Sequence, residues 1–134
     1  MFQFPVRVYY SDTDAEGIVY HARYLDFAEH ARTEMLRTVG IQQSASQKAG
    51  TILVVSSITI DFKRPGYLDD LLTVETEVET AKVFSLVLKQ TIRRGDEVLA
   101  LLSVKVASIN VGTKCPAPLE RGVIEAIKAL YSTG

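Results

Sequence analysis

The chain has 134 residues and 14.8 kDa, with 47% hydrophobic and 23% charged residues, the balance of an ordinary globular protein. A formal net charge of -1 and a pI near 6.1 give no sign of a nucleic-acid or anionic-membrane partner. One cysteine excludes an internal disulfide and a cysteine-based zinc site within the chain. The expectation is therefore one cytoplasmic domain over residues 1–134, with no leader and no apolar run near the roughly 18 residues of a transmembrane segment.

Val6, Val8 and Tyr10 alternate with Arg7 and Tyr9, which predicts a strand over Pro5–Tyr10. The chain then breaks into three acids in five residues, Asp12, Asp14 and Glu16, passes Gly17, and enters a helical pattern over Ala22–Val39. Leu25, Ala28, Ala31, Met35 and Val39 form the apolar stripe, widened by Tyr24, Phe27 and Leu36. Arg23, Asp26, Glu29, His30, Arg32, Thr33, Glu34 and Arg37 fall on the other face, and Gly40 stops the helix. Ile41–Gly50 reads as a polar connection with one helical turn.

From Thr51 the period becomes twofold. Ile52, Val54, Ile58, Ile60 and Phe62 are expected on one face of a strand, broken only at Ser56, and Arg64-Pro65-Gly66 ends it. Leu72, Val74, Thr76 and Val78 mark the next strand, and Phe84, Leu86, Leu88 and Ile92 the one after. Arg94-Gly95-Asp96 reads as a hairpin loop. Val98, Ala100, Leu102, Val104 and Val106 line a further strand, whose other face carries Leu99 and Leu101 and so suits a central or interface position. Val123, Ile124, Ile127 and Leu130 predict a C-terminal helix within Leu119–Tyr131. Strand, long helix, then four strands in an antiparallel meander have one simple joint solution. The sheet wraps the helix, the α+β arrangement called a hot-dog fold.

The chemistry concentrates where the acids meet the helix start. A helix N-terminus presents unpaired N–H groups and about half a positive charge, suited to polarising a carbonyl or holding an anion. A metal on Asp12, Asp14 and Glu16 would want a histidine or further oxygens converging from elsewhere. None is identifiable, so no metal and no cofactor are expected. The plainer reading of such acids is a favourable helix start or an Asx-turn; it is taken for Glu16 and left open for Asp12. His21 stands equally well as an ordinary polar side chain or a functional one. His30 reads as a surface pair with Asp26, and Cys115 has no base beside it. Arg93 and Arg94 read as a solvated turn, with phosphate contact as the other option.

The stretch Val6-Arg7-Val8-Tyr9-Tyr10-Ser11-Asp12-Thr13-Asp14-Ala15-Glu16-Gly17-Ile18-Val19-Tyr20-His21-Ala22-Arg23-Tyr24 resembles the signature of the YbgC-type acyl-CoA thioesterases. These are tol–pal-associated relatives of 4-hydroxybenzoyl-CoA thioesterase, and Ala31–Arg37 resembles the same branch. One helix and one sheet leave strand edges and apolar surface uncovered, so a homodimer or homotetramer is expected; the resemblance adds sites between subunits and implies hydrolysis of a short-chain or aromatic acyl-CoA, or of an acyl-carrier-protein thioester. It implies that Asp14 is the catalytic carboxylate, as nucleophile or general base. The His21 N–H would polarise the thioester carbonyl, with the His21 imidazole in the active site. Tyr20 and Gly17 match motif positions against the substrate, and Glu16 stands where relatives often have a small residue. A thioester needs neither a serine triad nor a metal, because the thiolate leaves readily. Two alternatives remain: a hot-dog hydratase or dehydratase working from a helix acid such as Glu29 or Glu34, and a non-catalytic acyl-CoA-binding module.

Overall fold

The structure is a computed structural model that describes residues 1–133. In chain order it contains β1 (Phe2–Arg7), a 3-10 turn (Tyr10–Asp12), α1 (Arg23–Thr38), α2 (Gln43–Ala49), β2 (Thr51–Phe62), β3 (Leu71–Ala81), β4 (Ser85–Arg94), β5 (Glu97–Asn110) and α3 (Arg121–Tyr131). The strands form one antiparallel sheet in the order β1-β3-β4-β5-β2. With α1 lying on its concave face, this is the α+β hot-dog fold.

Twofold alternation predicts most of the buried side, except that Phe84, expected on the inner face of β4, precedes that strand and is exposed. Leu72, Val74, Thr76 and Val78 of β3 are buried, as are Leu86, Leu88 and Ile92 of β4 and Ala100, Leu102, Val104 and Val106 of β5. On α1 the residues facing them are Tyr24, Phe27, Ala28, Ala31, Met35 and Leu36. Ala28 and Ala31 are small enough to let the helix backbone come down on β3 and β4. Gly40, in the left-handed region at φ +90, ends the helix. Its N–H reaches the Arg37 carbonyl at 3.1 Å, and the Ile41 N–H reaches that of Leu36 at 3.0 Å, which satisfies two otherwise orphaned acceptors.

Several expectations are corrected. β1 ends at Arg7 rather than Tyr10, because Asp12 folds the chain back into the 3-10 turn and leaves Tyr9 and Tyr10 exposed. The four later strands are not a simple meander. β1 already occupies the free edge of β3, so β2 pairs with β5 at the far edge, and residues 63–70 carry the chain across. β2 also changes face midway. A bulge between Val55 and Ser57 puts Leu53 and Val55 on the same side as Ile58 and Ile60, and turns Ile52 and Val54 outward. The expected central position of β5 holds, since it lies between β4 and β2, and Leu99 is covered by this chain itself, its carbonyl accepting the Lys63 and Arg64 N–H groups at 2.8 and 3.2 Å. Ile41–Gly50 holds a seven-residue helix, longer than the single turn expected.

On α1, Leu25 is exposed, whereas Arg32, read as a polar-face residue, is only 6% exposed. Its Nη1 donates to Gln90 Oε1 at 3.1 Å, and Gln90 Nε2 donates to the Ala28 carbonyl at 2.9 Å and to Thr76 Oγ1 at 3.0 Å. Gln90 is the polar gap in the apolar face of β4. Burial pulls the Arg32 guanidinium pKa down, while Glu29 opposes that shift. Gln90→Leu keeps much of the volume but strips Arg32 of its acceptor and the Ala28 carbonyl of a donor. It is expected to lower stability by about 1–3 kcal/mol in urea unfolding, with Gln90→Glu the milder change because it retains an acceptor for the cation.

Candidate functional site

Residues 8–22 are held down from two directions. The Val8 N–H donates to the Asp70 carbonyl and the Asp69 N–H to that of Val8, both at 2.9 Å, which ties the end of β1 to the segment entering β3. The Asp12 carboxylate, almost fully buried, accepts the Tyr9 N–H on Oδ2 at 2.9 Å. Its Oδ1 takes the Arg23 fork, Nε at 3.0 Å and Nη2 at 2.9 Å. Asp12 is thus a structural carboxylate of the 3-10 turn, paired with the first residue of α1.

Asp14 is built differently. Its Oδ1 accepts the Glu16 N–H at 2.9 Å, an Asx-turn, and its carbonyl accepts the Gly17 N–H at 3.0 Å. Of the three acids it is Asp14 that forms an Asx-turn. Glu16 is exposed. Gly17 sits at φ +78, the left-handed conformation that brings the chain back so that the Ile18 carbonyl can accept the Asp14 N–H at 2.9 Å. A β-carbon on Gly17 would meet nothing within 4 Å, so backbone conformation alone demands the glycine. Among the described residues Asp14 Oδ2 has no hydrogen-bond partner, and the side chain is half-buried.

Val19 and Tyr24 clamp a second loop. The Val19 N–H donates to the Gly66 carbonyl at 2.9 Å, and the Gly66 N–H donates to the Tyr24 hydroxyl at 2.9 Å. Burial raises the Tyr24 phenol pKa, and the hydrogen bond from the Gly66 N–H opposes that shift. A β-carbon on Gly66 would lie 3.1 Å from Val19 Cγ2 and 3.2 Å from the Tyr24 oxygen. Arg94 braces the loop from below, donating to Asp70 Oδ2 at 2.7 Å and to the Pro65 carbonyl at 3.2 Å, with its guanidinium over the Tyr67 ring. Hydrogen bonding to Asp70 raises its already high pKa. Arg93 is paired with Glu75. Both hairpin arginines are therefore engaged within the chain rather than held in a solvated turn.

His21 precedes α1, whose N-cap residue, Ala22, already has helical dihedrals and has no side-chain cap. The imidazole packs on Tyr20 at 4.5 Å between ring centroids and meets Phe62 edge-on at 6.3 Å. It lines a pocket with Ile18, Val19, Tyr24, Phe62 and Lys63–Pro65. Asp14 lines a separate depression with Tyr10, Thr13, Ala15, Gly17 and Leu68. Within one chain, then, the acid and the imidazole line different depressions. The sequence pattern missed Tyr24, Phe62 and Gly66 as site residues; the Arg64-Pro65-Gly66 turn was the available signal.

The remaining candidates lie elsewhere. His30 is beside Glu29 at 3.8 Å rather than Asp26, which pairs with Arg23 at 3.0 Å. Glu29 accepts from Thr33, and Glu34 pairs with Arg37 at 3.5 Å, so neither helix acid faces the His21 pocket. Cys115 is exposed. Asp12 and Asp14 direct their carboxylates to different partners, and among the described residues no three His, Cys, Asp or Glu side chains converge as metal ligands. Among them too, no helix is long and apolar enough to cross a membrane.

A family model described as the thioesterase superfamily matches residues 16–101. The chain is 45% identical over 130 residues to the acyl-CoA thioesterase YbgC of Haemophilus influenzae, covering 96% of each. It is 44% identical over 99 residues to the acyl-CoA thioester hydrolase YbgC of Escherichia coli, covering 74% of each. Its fold is similar to the crystal structure of a probable thioesterase from Bartonella henselae, with a TM-score of 0.82 and 35% identity over 88% of this chain and 98% of that one.

The Gly66 clamp gives a direct test. Gly66→Ala must push apart Val19 and Tyr24, and a destabilisation of about 1–3 kcal/mol is expected in thermal or urea unfolding. Gly17→Ala is expected to act through backbone strain alone, and an unchanged midpoint for either variant would contradict these assignments.

Proposed function

We infer the reaction from one premise: this chain belongs to the thioesterase superfamily. It is an acyl-CoA thioester hydrolase, releasing a free acid and the CoA thiol. The observation that carries this is the 45% identity to an acyl-CoA thioesterase along 96% of the chain.

Asp14 is our choice for the reacting carboxylate. One of its oxygens is tethered by the Glu16 N–H, which fixes the plane of the group, while the other is left to attack the thioester carbon or to take a proton from water. The matched family span begins two residues later, so this role rests on the motif and on that geometry. Charge developing on the carbonyl oxygen would be met by the uncapped start of α1, at the His21 N–H. The His21 ring, held by Tyr20 and Phe62, walls the reacting centre, and Lys63 and Arg64 put two cations on the rim, suited to the phosphates of CoA. Neither Glu29 nor Glu34 lines that pocket, which disfavours a hydratase working from a helix acid.

A homo-oligomer, at least a dimer, belongs to the same reading, and it supports placing the site between subunits. β2 is a 12-residue edge strand, and α1 packs chiefly on β1, β3 and β4. Val55 and Phe62, on the inward side of β2, remain 45% and 50% exposed. A second copy against this open end would cover them and enclose the ground beside His21.

Asp14→Asn is expected to reduce free-thiol release from acyl-CoA by about a hundredfold to ten-thousandfold while acyl-CoA still binds. His21→Ala should cost less, because the backbone donor survives. An Asp14→Asn enzyme running at the parent rate would remove Asp14 from the mechanism. Light scattering at micromolar concentration should give at least twice the chain mass, and a monomer would refute the shared site.

A further inference from the structure

The catalytic reading leaves the most buried carboxylate of the loop, Asp12, without a chemical task. Its contacts bracket His21. On one side the Asp12 carbonyl accepts the Tyr20 N–H at 2.9 Å; on the other its carboxylate holds the Arg23 guanidinium through two nitrogens. The Arg23 N–H closes the turn onto the Tyr20 carbonyl at 2.8 Å, and Arg23 Nη1 reaches Asp26 one turn into α1. The second carboxylate oxygen of Asp12 holds the Tyr9 N–H, so the same side chain also shapes the backbone that leads to Asp14.

We propose that Asp12 and Arg23 form a strut that sets the position of the Asp14 loop relative to the N-terminus of α1, and that both are positioning residues for thioester cleavage. The proposal rests on the reading of Asp14 and the His21 N–H given above. A planar guanidinium fork on a carboxylate fixes direction as well as distance, which a single surface contact does not. Arg23 also neutralises a carboxylate that would otherwise face the start of α1, where negative charge accumulates during the reaction. Loss of either partner should therefore displace the reacting groups and leave an unbalanced charge near them.

The test is a double-mutant cycle of Asp12→Asn and Arg23→Gln, assayed by thiol release at a temperature where circular dichroism shows every variant folded. Each single change is expected to lower kcat about tenfold to hundredfold, the scale of a misplacement near 1 Å, with KM little altered. The double variant should be no slower than the worse single one, since both remove the same strut. Arg23→Lys, which keeps the charge without the fork, should recover part of kcat and stands in if Asp12→Asn does not fold. Parent-like kcat in the folded single variants, or losses that multiply in the double variant, overturn the strut. So does an Arg23→Lys enzyme no faster than Arg23→Gln. Asp14→Asn run in parallel separates the two ideas: if it is inactive while the Asp12 and Arg23 variants are unimpaired, only the strut fails, and if it is active the reading of Asp14 fails first.

Discussion

The structure depends on how closely one helix can lie on a curved sheet. Ala28 and Ala31 present almost nothing beyond the backbone, so α1 approaches β3 and β4 closely enough for a strand side chain, Gln90, to hydrogen-bond a helix carbonyl. Apolar burial alone would leave the helix free to slide, because dispersion and the hydrophobic effect are not directional. The Arg32–Gln90–Thr76 bonds supply direction at the middle of the interface. A buried arginine is costly unless its donors find partners, and here the sheet offers one at the position where its apolar alternation is interrupted.

With α1 fixed, the position of its first turn follows, and two loops are fastened to it by short bonds. The loop bearing Asp14 is joined through Asp12 and Arg23, and the segment after β2 through Gly66 and Tyr24. Both fastenings place rigid, fully bonded groups immediately behind flexible-looking polar sequence. That division holds the backbone of the loop reproducibly while one Asp14 carboxylate oxygen stays without a partner.

Legibility in the sequence divided along the same physical lines. Periodicity reports which side of an element is buried, and it identified the inner faces of β3, β4 and β5 and nearly all of the α1 stripe. It reports nothing about register, so the change of face within β2 was hidden: Ser56 looked like a lapse in the pattern when it marked an inserted residue. Strand order was equally out of reach, because β1 takes the edge of β3 through contacts some seventy positions away in the chain. Arg32 and Gln90 share a reason for being illegible, since each is polar by type and buried among partners that lie far away in the chain. At the candidate site, the motif drew attention to the loop before α1, but which acid is bonded within the fold and which keeps an open oxygen depends on hydrogen bonds that spacing does not encode. That Asp14 and His21 line different depressions was not foreseeable from their proximity in sequence.

The bulge in β2 carries a consequence for assembly. The two borders of the sheet are unequal: β1 is six residues with Pro5 in it, while β2 is twelve residues long. A protein with two long flat borders can add copies without end, which is the geometry of a fibril. Here the proline-bearing border is a poor template, and the longer one is interrupted by the bulge at Val55–Ser57, which works against indefinite flat stacking. Were a second copy to join through its own β2, no equivalent border would remain. Growth would then stop at a closed pair, and the irregularity that obscured this strand in the sequence would act as the terminator of polymerisation.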